Sequence, residues 1–221
     1  MIVCIPNLLT REELAALAQG LSTAKFVDGQ LTAGWHAKLV KQNQQAAKTL
    51  DTDALKAIIQ GALGRSPLFQ AVVHPKVIHS ILFSRYGEGM AYGRHIDNAL
   101  MSGASFLRSD VSFTIFLSAP ESYEGGELVI EAADSETPYK LAAGSIIVYP
   151  STTLHRVEPV TRGERLVAVG WVQSLIRDAE RREILFDLDT VKRSLFAQDG
   201  KTDEFDLVAK TMANLLRKWA E

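Results

Sequence analysis

Apolar residues recur at helical spacing near the start of the chain, where Leu14, Leu17 and Leu21 share one face. They follow Thr10-Arg11-Glu12-Glu13, a threonine with glutamate three residues on, which satisfies backbone N–H groups at a helix start and predicts a first helix. A second helical pattern, Thr52 to Leu63, comes after a polar, Gln-rich connection and puts Leu55, Ile58, Ile59 and Leu63 on one face. From about Lys76 the period shortens to that of strands, in runs at Val77 to Tyr86, Asp110 to Leu117, Glu127 to Glu131, Ser145 to Tyr149 and Arg165 to Val172. Gly87, Gly89, Gly125-Gly126, Gly144 and Gly163 separate these runs, a punctuation that predicts a sandwich, jelly roll or barrel. Beyond Ser174 the helical period returns in Leu175 to Leu188, Val191 to Phe196 and, past Gly200, Asp203 to Trp219. The expected organisation is mainly β with flanking helices (α+β): an N-terminal helical support region (1–75), a β core (76–173) and a C-terminal helical appendage (174–221).

A chain of 221 residues, 47% apolar, is long enough to bury a substantial core. Its 24 basic and 26 acidic side chains give a net charge of -2, so no global field draws it to nucleic acid or to an anionic membrane. Neither partner is expected. Cys4 is the sole cysteine, which leaves no internal disulfide and fits a reducing compartment, the cytoplasm being the simplest. The opening MIVCIPNLL lacks the basic segment of a signal peptide, and no apolar run approaches the roughly 18 residues of a membrane span. Arg177, Arg181 and Arg182 are interleaved with Asp178, Glu180 and Glu183, so they read as a solvated helix face rather than a nucleic-acid patch. Leu185, Phe186, Leu188, Leu195 and Phe196 could pack within the chain or join two copies as a homo-oligomer through the C-terminal helices, with packing within the chain the expectation.

Candidate chemistry centres on Gly93-Arg94-His95-Ile96-Asp97. Residues two apart on an extended segment project from the same face, so His95 and Asp97 can chelate one ion while Ile96 points into the packing behind. His155, just past the strand ending at Tyr149-Pro150, can supply a third ligand. Two imidazoles and a carboxylate form a facial triad that leaves adjacent positions open, unlike a structural zinc site. An H-x-D pair also arises by chance as a surface hydrogen bond. Arg165, ten residues after His155, strengthens the metal reading: a guanidinium fork beside an open iron site suits the far carboxylate of a dicarboxylate co-substrate. Its alternative is a surface pairing with Glu164 or Glu158. His36, His74 and His79 have no carboxylate at ligand spacing and are expected in structural or surface roles.

The segment Ser84 to Asp97, SRYGEGMAYGRHID, resembles the R-Y-x-x-G-x-x-Y-x-x-H-x-D motif of the prolyl 4-hydroxylase superfamily. Tyr123-Glu124-Gly125-Gly126-Glu127-Leu128 resembles its F-x-G-G-x-L hairpin, and Gly144 through Arg165 its last metal and oxoglutarate strands. The N-terminal helices, the insertion MSGASFLRSD and the helical tail extend the resemblance to the bacterial PKHD-type hydroxylase group over nearly the full chain. The resemblance implies a double-stranded β-helix, Fe(II) held by His95, Asp97 and His155, 2-oxoglutarate on Arg165, and L-ascorbate as a reductant of the iron. It implies an Fe(II)- and 2-oxoglutarate-dependent dioxygenase that hydroxylates a peptidyl residue, a siderophore or another small molecule, with release of succinate and CO2. Tyr86 matches a family position whose hydroxyl helps hold 2-oxoglutarate, and Tyr92 one that faces the substrate; each could instead fill the core. Many members of the superfamily carry lysine where this chain has Arg165, an exchange that keeps the charge and alters the geometry.

Two other classes remain open on the residues alone. One is a metal-dependent β-barrel enzyme that does not use 2-oxoglutarate; the other is a non-catalytic sensor of iron or 2-oxoglutarate signalling through the tail. Met101 to Asp110 is either a substrate lid or an ordinary loop.

Overall fold

Successive side chains of a strand point to opposite faces, so a strand covered on both sides is buried at every position, as all six residues Val111–Phe116 are. The computed structural model describes residues 1–101 and 106–221. The N-terminal region holds β1 (Val3–Ile5), α1 (Arg11–Ser22), β2 (Phe26–Asp28), β3 (Lys41–Gln42), β4 (Gln44–Ala46), α2 (Leu50–Arg65) and α3 (Pro67–Val73). Then come β5 (Pro75–Tyr86), β6 (Ala91–His95), β7 (Leu100–Met101), β8 (Leu107–Arg108) and β9 (Val111–Phe116). The remaining strands are β10 (Tyr123–Gly125), β11 (Leu128–Glu131), β12 (Glu136–Tyr139), β13 (Ile146–Pro150), β14 (His155–Val157), β15 (Val160–Gly163) and β16 (Arg165–Ser174), followed by α4 (Ala179–Asp199) and α5 (Asp203–Trp219).

A seven-stranded sheet in the order β1-β13-β9-β16-β5-β4-β2 faces a five-stranded sheet in the order β12-β11-β14-β6-β3, with every recorded pairing antiparallel. This is the two-sheet arrangement of a double-stranded β-helix. On one face of the large sheet Ile81, Phe83, Phe113, Ile115, Ile146, Val148 and Ala168 join Leu17, Leu21, Leu55, Ile59 and Leu63 of α1 and α2 in the main core. On the opposite face Tyr86, Phe116, Ile147, Tyr149 and Val167 pack with Leu128, Ile130 and Val157 of the small sheet. Each fully buried side chain of this size stabilises the fold by about 1.5–3 kcal/mol. The helices therefore brace the back of the large sheet and leave its front for the site.

Helix α1 starts as predicted: Thr10 Oγ1 accepts from Glu13 N (3.2 Å), and Glu13 Oε2 accepts from Thr10 N (2.9 Å). Helix α2 starts earlier than the apolar pattern suggests, because Thr49 accepts from Thr52 N (3.2 Å) while the Thr52 hydroxyl accepts from Thr49 N (2.8 Å). Residues Val191 to Phe196 are not a separate stretch; α4 runs unbroken to Gly200. Leu185 is fully buried with Ile176 and Met212, and Phe186 packs on the main core, whereas Phe196 is exposed. Arg182 departs from the solvated-face expectation: it is buried and donates to the carbonyls of Ile176 (2.7 Å) and Arg177 (2.9 Å). None of the described helices is long and apolar enough to cross a membrane. The proposed lid, Met101 to Asp110, lies partly outside the described residues.

Candidate active site

His95 is the last residue of β6 and His155 the first of β14, and the two are direct cross-strand partners in the small sheet. That register brings their rings together, with centroids 4.3 Å apart. Asp97 lies just beyond the end of β6, and its Oδ2 comes within 3.9 Å of His155 Nε2. One ligand atom from each of His95, Asp97 and His155 lies within 4.8 Å of the others, close enough for a single ion to reach all three. Ile96 does not point into the packing behind them. Because β6 ends at His95, Ile96 turns outward, is 41% exposed and lines the cavity.

Backbone carbonyls orient both imidazoles. His95 Nδ1 lies 2.7 Å from Gly93 O, and His155 Nδ1 lies 3.0 Å from Thr153 O. A carbonyl only accepts, so each Nδ1 carries the proton and each Nε2 offers its lone pair. Asp97 Oδ2 accepts from Ser112 Oγ (2.6 Å), and Ser112 in turn lies 2.7 Å from Ser151 Oγ. With its only proton given to Asp97, Ser112 must accept from Ser151. Burial, and then the neighbouring His155, lower the His95 pKa to about 4, which keeps its ring neutral and able to ligate.

The three residues form part of the lining of a cavity of about 290 Å³ between the sheets. Arg165 reaches the same cavity from the first position of β16, and its side chain is 1% exposed. Its guanidinium carbon lies 5.0 Å from the Tyr86 ring centre and 5.7 Å from that of Phe116, while its Nε has no hydrogen-bond partner among the described residues. The two carboxylates considered as surface partners are engaged elsewhere, Glu164 with Arg85 (3.7 Å) and Glu158 with Arg156 (2.7 Å). A buried guanidinium without a carboxylate is costly unless an anionic ligand completes it. Gly126, at φ +67°, makes room for this arginine: a Cβ there would come within 3.0 Å of Arg165 Cδ. Tyr86 is the cross-strand partner of Arg165, and burial raises its pKa while the guanidinium opposes the rise. The Tyr123 hydroxyl sits close to Arg165 but outside hydrogen-bonding geometry.

Tyr92 stacks on His95 with ring centres 3.6 Å apart and lines the cavity, and its pKa is raised, first by burial and then by Asp97. Tyr149 contacts His155 edge to face at 5.2 Å, its pKa raised by the same two causes. His79, expected in a structural or surface role, also lines the cavity. Sequence reasoning passed over Ser112 and Tyr149, and it read Lys41, Asn43 and Gln45 as part of a connection. Ser112 had a signal, a polar residue alternating with large apolar ones in Val111-Ser112-Phe113-Thr114-Ile115.

Residues 81–173 match the 2OG-Fe(II) oxygenase superfamily, and residues 178–221 match the PKHD-type hydroxylase C-terminal domain. The chain is 63% identical over 222 residues to a PKHD-type hydroxylase of Crocosphaera subtropica, and 56% identical over 223 residues to one of Synechococcus elongatus; both alignments cover 100% of each chain. Among solved structures it is similar in fold to a Pseudomonas putida prolyl-4-hydroxylase (TM-score 0.52, 22% identity, 78% of this chain and 92% of that one). It is similar also to HygX from Streptomyces hygroscopicus with nickel and 2-oxoglutarate bound (TM-score 0.57, 12% identity, 79% and 84%).

Proposed function

Because the chain belongs to the PKHD-type hydroxylases of the 2OG-Fe(II) oxygenase superfamily, and is therefore an Fe(II)- and 2-oxoglutarate-dependent hydroxylase, we propose that His95, Asp97 and His155 hold the iron and Arg165 the 2-oxoglutarate. The observation that carries the assignment is the meeting of three ligand atoms on the wall of a cavity that is also lined by a buried arginine with no carboxylate partner among the described residues. Ferrous iron and 2-oxoglutarate supply the oxidising chemistry, activating dioxygen with loss of CO2 and leaving succinate.

The protein supplies position. The Nε2 lone pairs of His95 and His155 and one oxygen of Asp97 would hold the ion, and three protein donors would leave it able to take the co-substrate and dioxygen. The Arg165 guanidinium would take the far carboxylate of 2-oxoglutarate with the Tyr86 hydroxyl beside it, which would orient the keto acid end toward His95, Asp97 and His155. The Tyr92 ring fixes the plane of His95 and faces the space the substrate enters. Stacked apolar residues of the two sheets keep bulk water from the chemistry. In this reading residues 76–173 carry the reaction, 1–75 brace and wall the cavity, and 174–221 are an appendage. The substrate is a peptidyl residue, a siderophore or another small molecule, not nucleic acid or membrane, and L-ascorbate would serve as the reductant that keeps the iron ferrous. A reducing cytoplasm fits ferrous iron and the single Cys4, and copies would associate, where they do, through α4 and α5.

The test is succinate formation from 2-oxoglutarate with ferrous iron and dioxygen. His95→Ala, Asp97→Ala and His155→Ala should each abolish it. Arg165→Ala should mainly raise the 2-oxoglutarate concentration required, by about tenfold or more for loss of a buried charge-assisted pair. Unchanged turnover and iron binding in the first three variants would sink the assignment. An oxygen-dependent product formed without 2-oxoglutarate would point to the other β-barrel class.

A further inference from the structure

Part of the cavity wall beside the proposed metal ligands is built by the polar segment Lys41-Gln42-Asn43-Gln44-Gln45, which crosses between the sheets: β3 pairs with β6 of the small sheet and β4 with β5 of the large one. Successive side chains on extended backbone point to opposite sides. Accordingly Lys41, Asn43 and Gln45 are all buried, at 5%, 5% and 4% exposure, and all line the cavity, while Gln42 and Gln44 do not.

Their polar groups are only partly satisfied. Lys41 Nζ donates to Thr32 Oγ1 (3.1 Å), which lies 2.6 Å from Gln45 Oε1. Lys41 forms no ion pair among the described residues, and its three N–H groups have this one hydrogen-bond acceptor. Among the described residues both side-chain atoms of Asn43, Oδ1 and Nδ2, have no hydrogen-bond partner; the amide lies near the Tyr86 hydroxyl but outside hydrogen-bonding geometry. Gly29 makes room for it, since a Cβ at Gly29 would fall 1.8 Å from Asn43 Oδ1. A buried ammonium short of partners, beside a buried amide with none, is costly unless a ligand completes both. Lys41 Nζ also lies 5.1 Å from the centre of the Tyr92 ring, the ring that stacks on His95. An anion held by Lys41 therefore sits one aromatic ring away from the metal-ligand residues.

We propose that Lys41 and Asn43 form the substrate-recognition subsite and that the substrate carries a carboxylate, received by the Lys41 ammonium with Asn43 bonding an adjacent polar group. The inference rests on the proposed function, in which Arg165 is occupied by the co-substrate, so that among the described residues Lys41 is the remaining lysine or arginine lining the cavity. One ammonium flanked by amides matches a singly charged, planar acceptor better than a doubly charged phosphate, which calls for more than one cation. Burial lowers the Lys41 pKa to about 8, opposed by the carboxylates of Asp97 and Asp28, so the side chain remains mostly charged at neutral pH and an added anion would favour that form. Ile96, Leu100 and Met101 line the same cavity and offer apolar surface to the rest of such a molecule.

The test uses the full chain loaded anaerobically with ferrous iron and saturating 2-oxoglutarate. The visible charge-transfer band of an iron-bound 2-oxo acid must first form in the native protein; its absence would remove the parent reading before the subsite is probed. Calorimetric titration then compares 4-phenylbutyrate, its neutral amide 4-phenylbutyramide and phenyl phosphate. The carboxylate should bind about tenfold or more tighter than the amide, the value of a charge-assisted bond. Lys41→Met should erase that preference and Lys41→Arg keep it, with Lys41→Gln serving if the methionine variant does not fold. No binding of the carboxylate, equal binding of acid and amide, tighter binding of the phosphate, or a preference that survives in the neutral variants would each overturn the proposal.

Discussion

At the scale of single residues, the metal-ligand cluster depends on partners that do not themselves reach the ion. Ser112 holds Asp97 by a 2.6 Å hydrogen bond and is held by Ser151, so the carboxylate has one orientation before any metal arrives. Loss of such a support typically weakens metal affinity about 10–100-fold. Ser112→Ala should therefore raise the dissociation constant for ferrous or manganous ion by that factor in a metal titration, with the melting temperature of the metal-free protein little changed. An unaltered metal affinity would mean that Asp97 is positioned by the backbone alone. His95, Asp97, His155 and Arg165 were legible in the sequence because their residue types are scarce and their spacing is chemically meaningful. Lys41, Asn43 and Gln45 were not, because period-2 alternation is recognised by its contrast of apolar with polar, and KQNQQ has no apolar residue to supply it.

At the scale of elements, what the sequence shows best is what burial and turn chemistry impose together. The β core follows its glycines, and α1 its capping box. Helix α3 was overlooked although Ser66-Pro67 is a start signal, with Ser66 Oγ accepting from Phe69 N (3.3 Å). In α4 the polar Asp189-Thr190 resembled an interruption, yet Asp189 is buried and pairs with Lys192 (2.7 Å) and Arg193 (2.9 Å) along the same helix. Strand β16 carries a constraint of another kind. It pairs with both β5 and β9, and at Gly170 a Cβ would lie 2.4 Å from Phe113 Cζ and 2.6 Å from the Ser80 carbonyl oxygen. The backbone oxygen cannot rotate away, so Gly170→Ala must displace a central strand. The expected cost is about 1–3 kcal/mol, read as a lower urea midpoint at constant slope. A midpoint equal to that of the native protein would show that the sheet yields more easily than this packing implies.

At the scale of the whole molecule, a site prepared for a metal makes the metal-free protein sensitive to acid. In the folded chain the His95 pKa is held near 4, first by burial and then by His155, against 6.5 for an unperturbed histidine. His74 is shifted downward too, chiefly by burial. A group whose folded pKa lies below its unfolded value binds fewer protons in the folded state, so its contribution to stability is complete above the unfolded pKa and is lost as pH falls toward the folded one. For His95 that window runs from about 6.5 down to about 4, and each unit of separation corresponds to about 1.4 kcal/mol. Urea unfolding of chelator-treated protein across this range should therefore show stability falling as pH falls. His95→Gln replaces the imidazole with a neutral side chain and should flatten the dependence in the same window, leaving the part due to His74. A bound divalent ion competes with protons for the Nε2 lone pair, so saturating manganese should hold the native protein's stability to lower pH and do much less for His95→Gln. Equal slopes in native and variant protein would locate the acid sensitivity in groups outside the site.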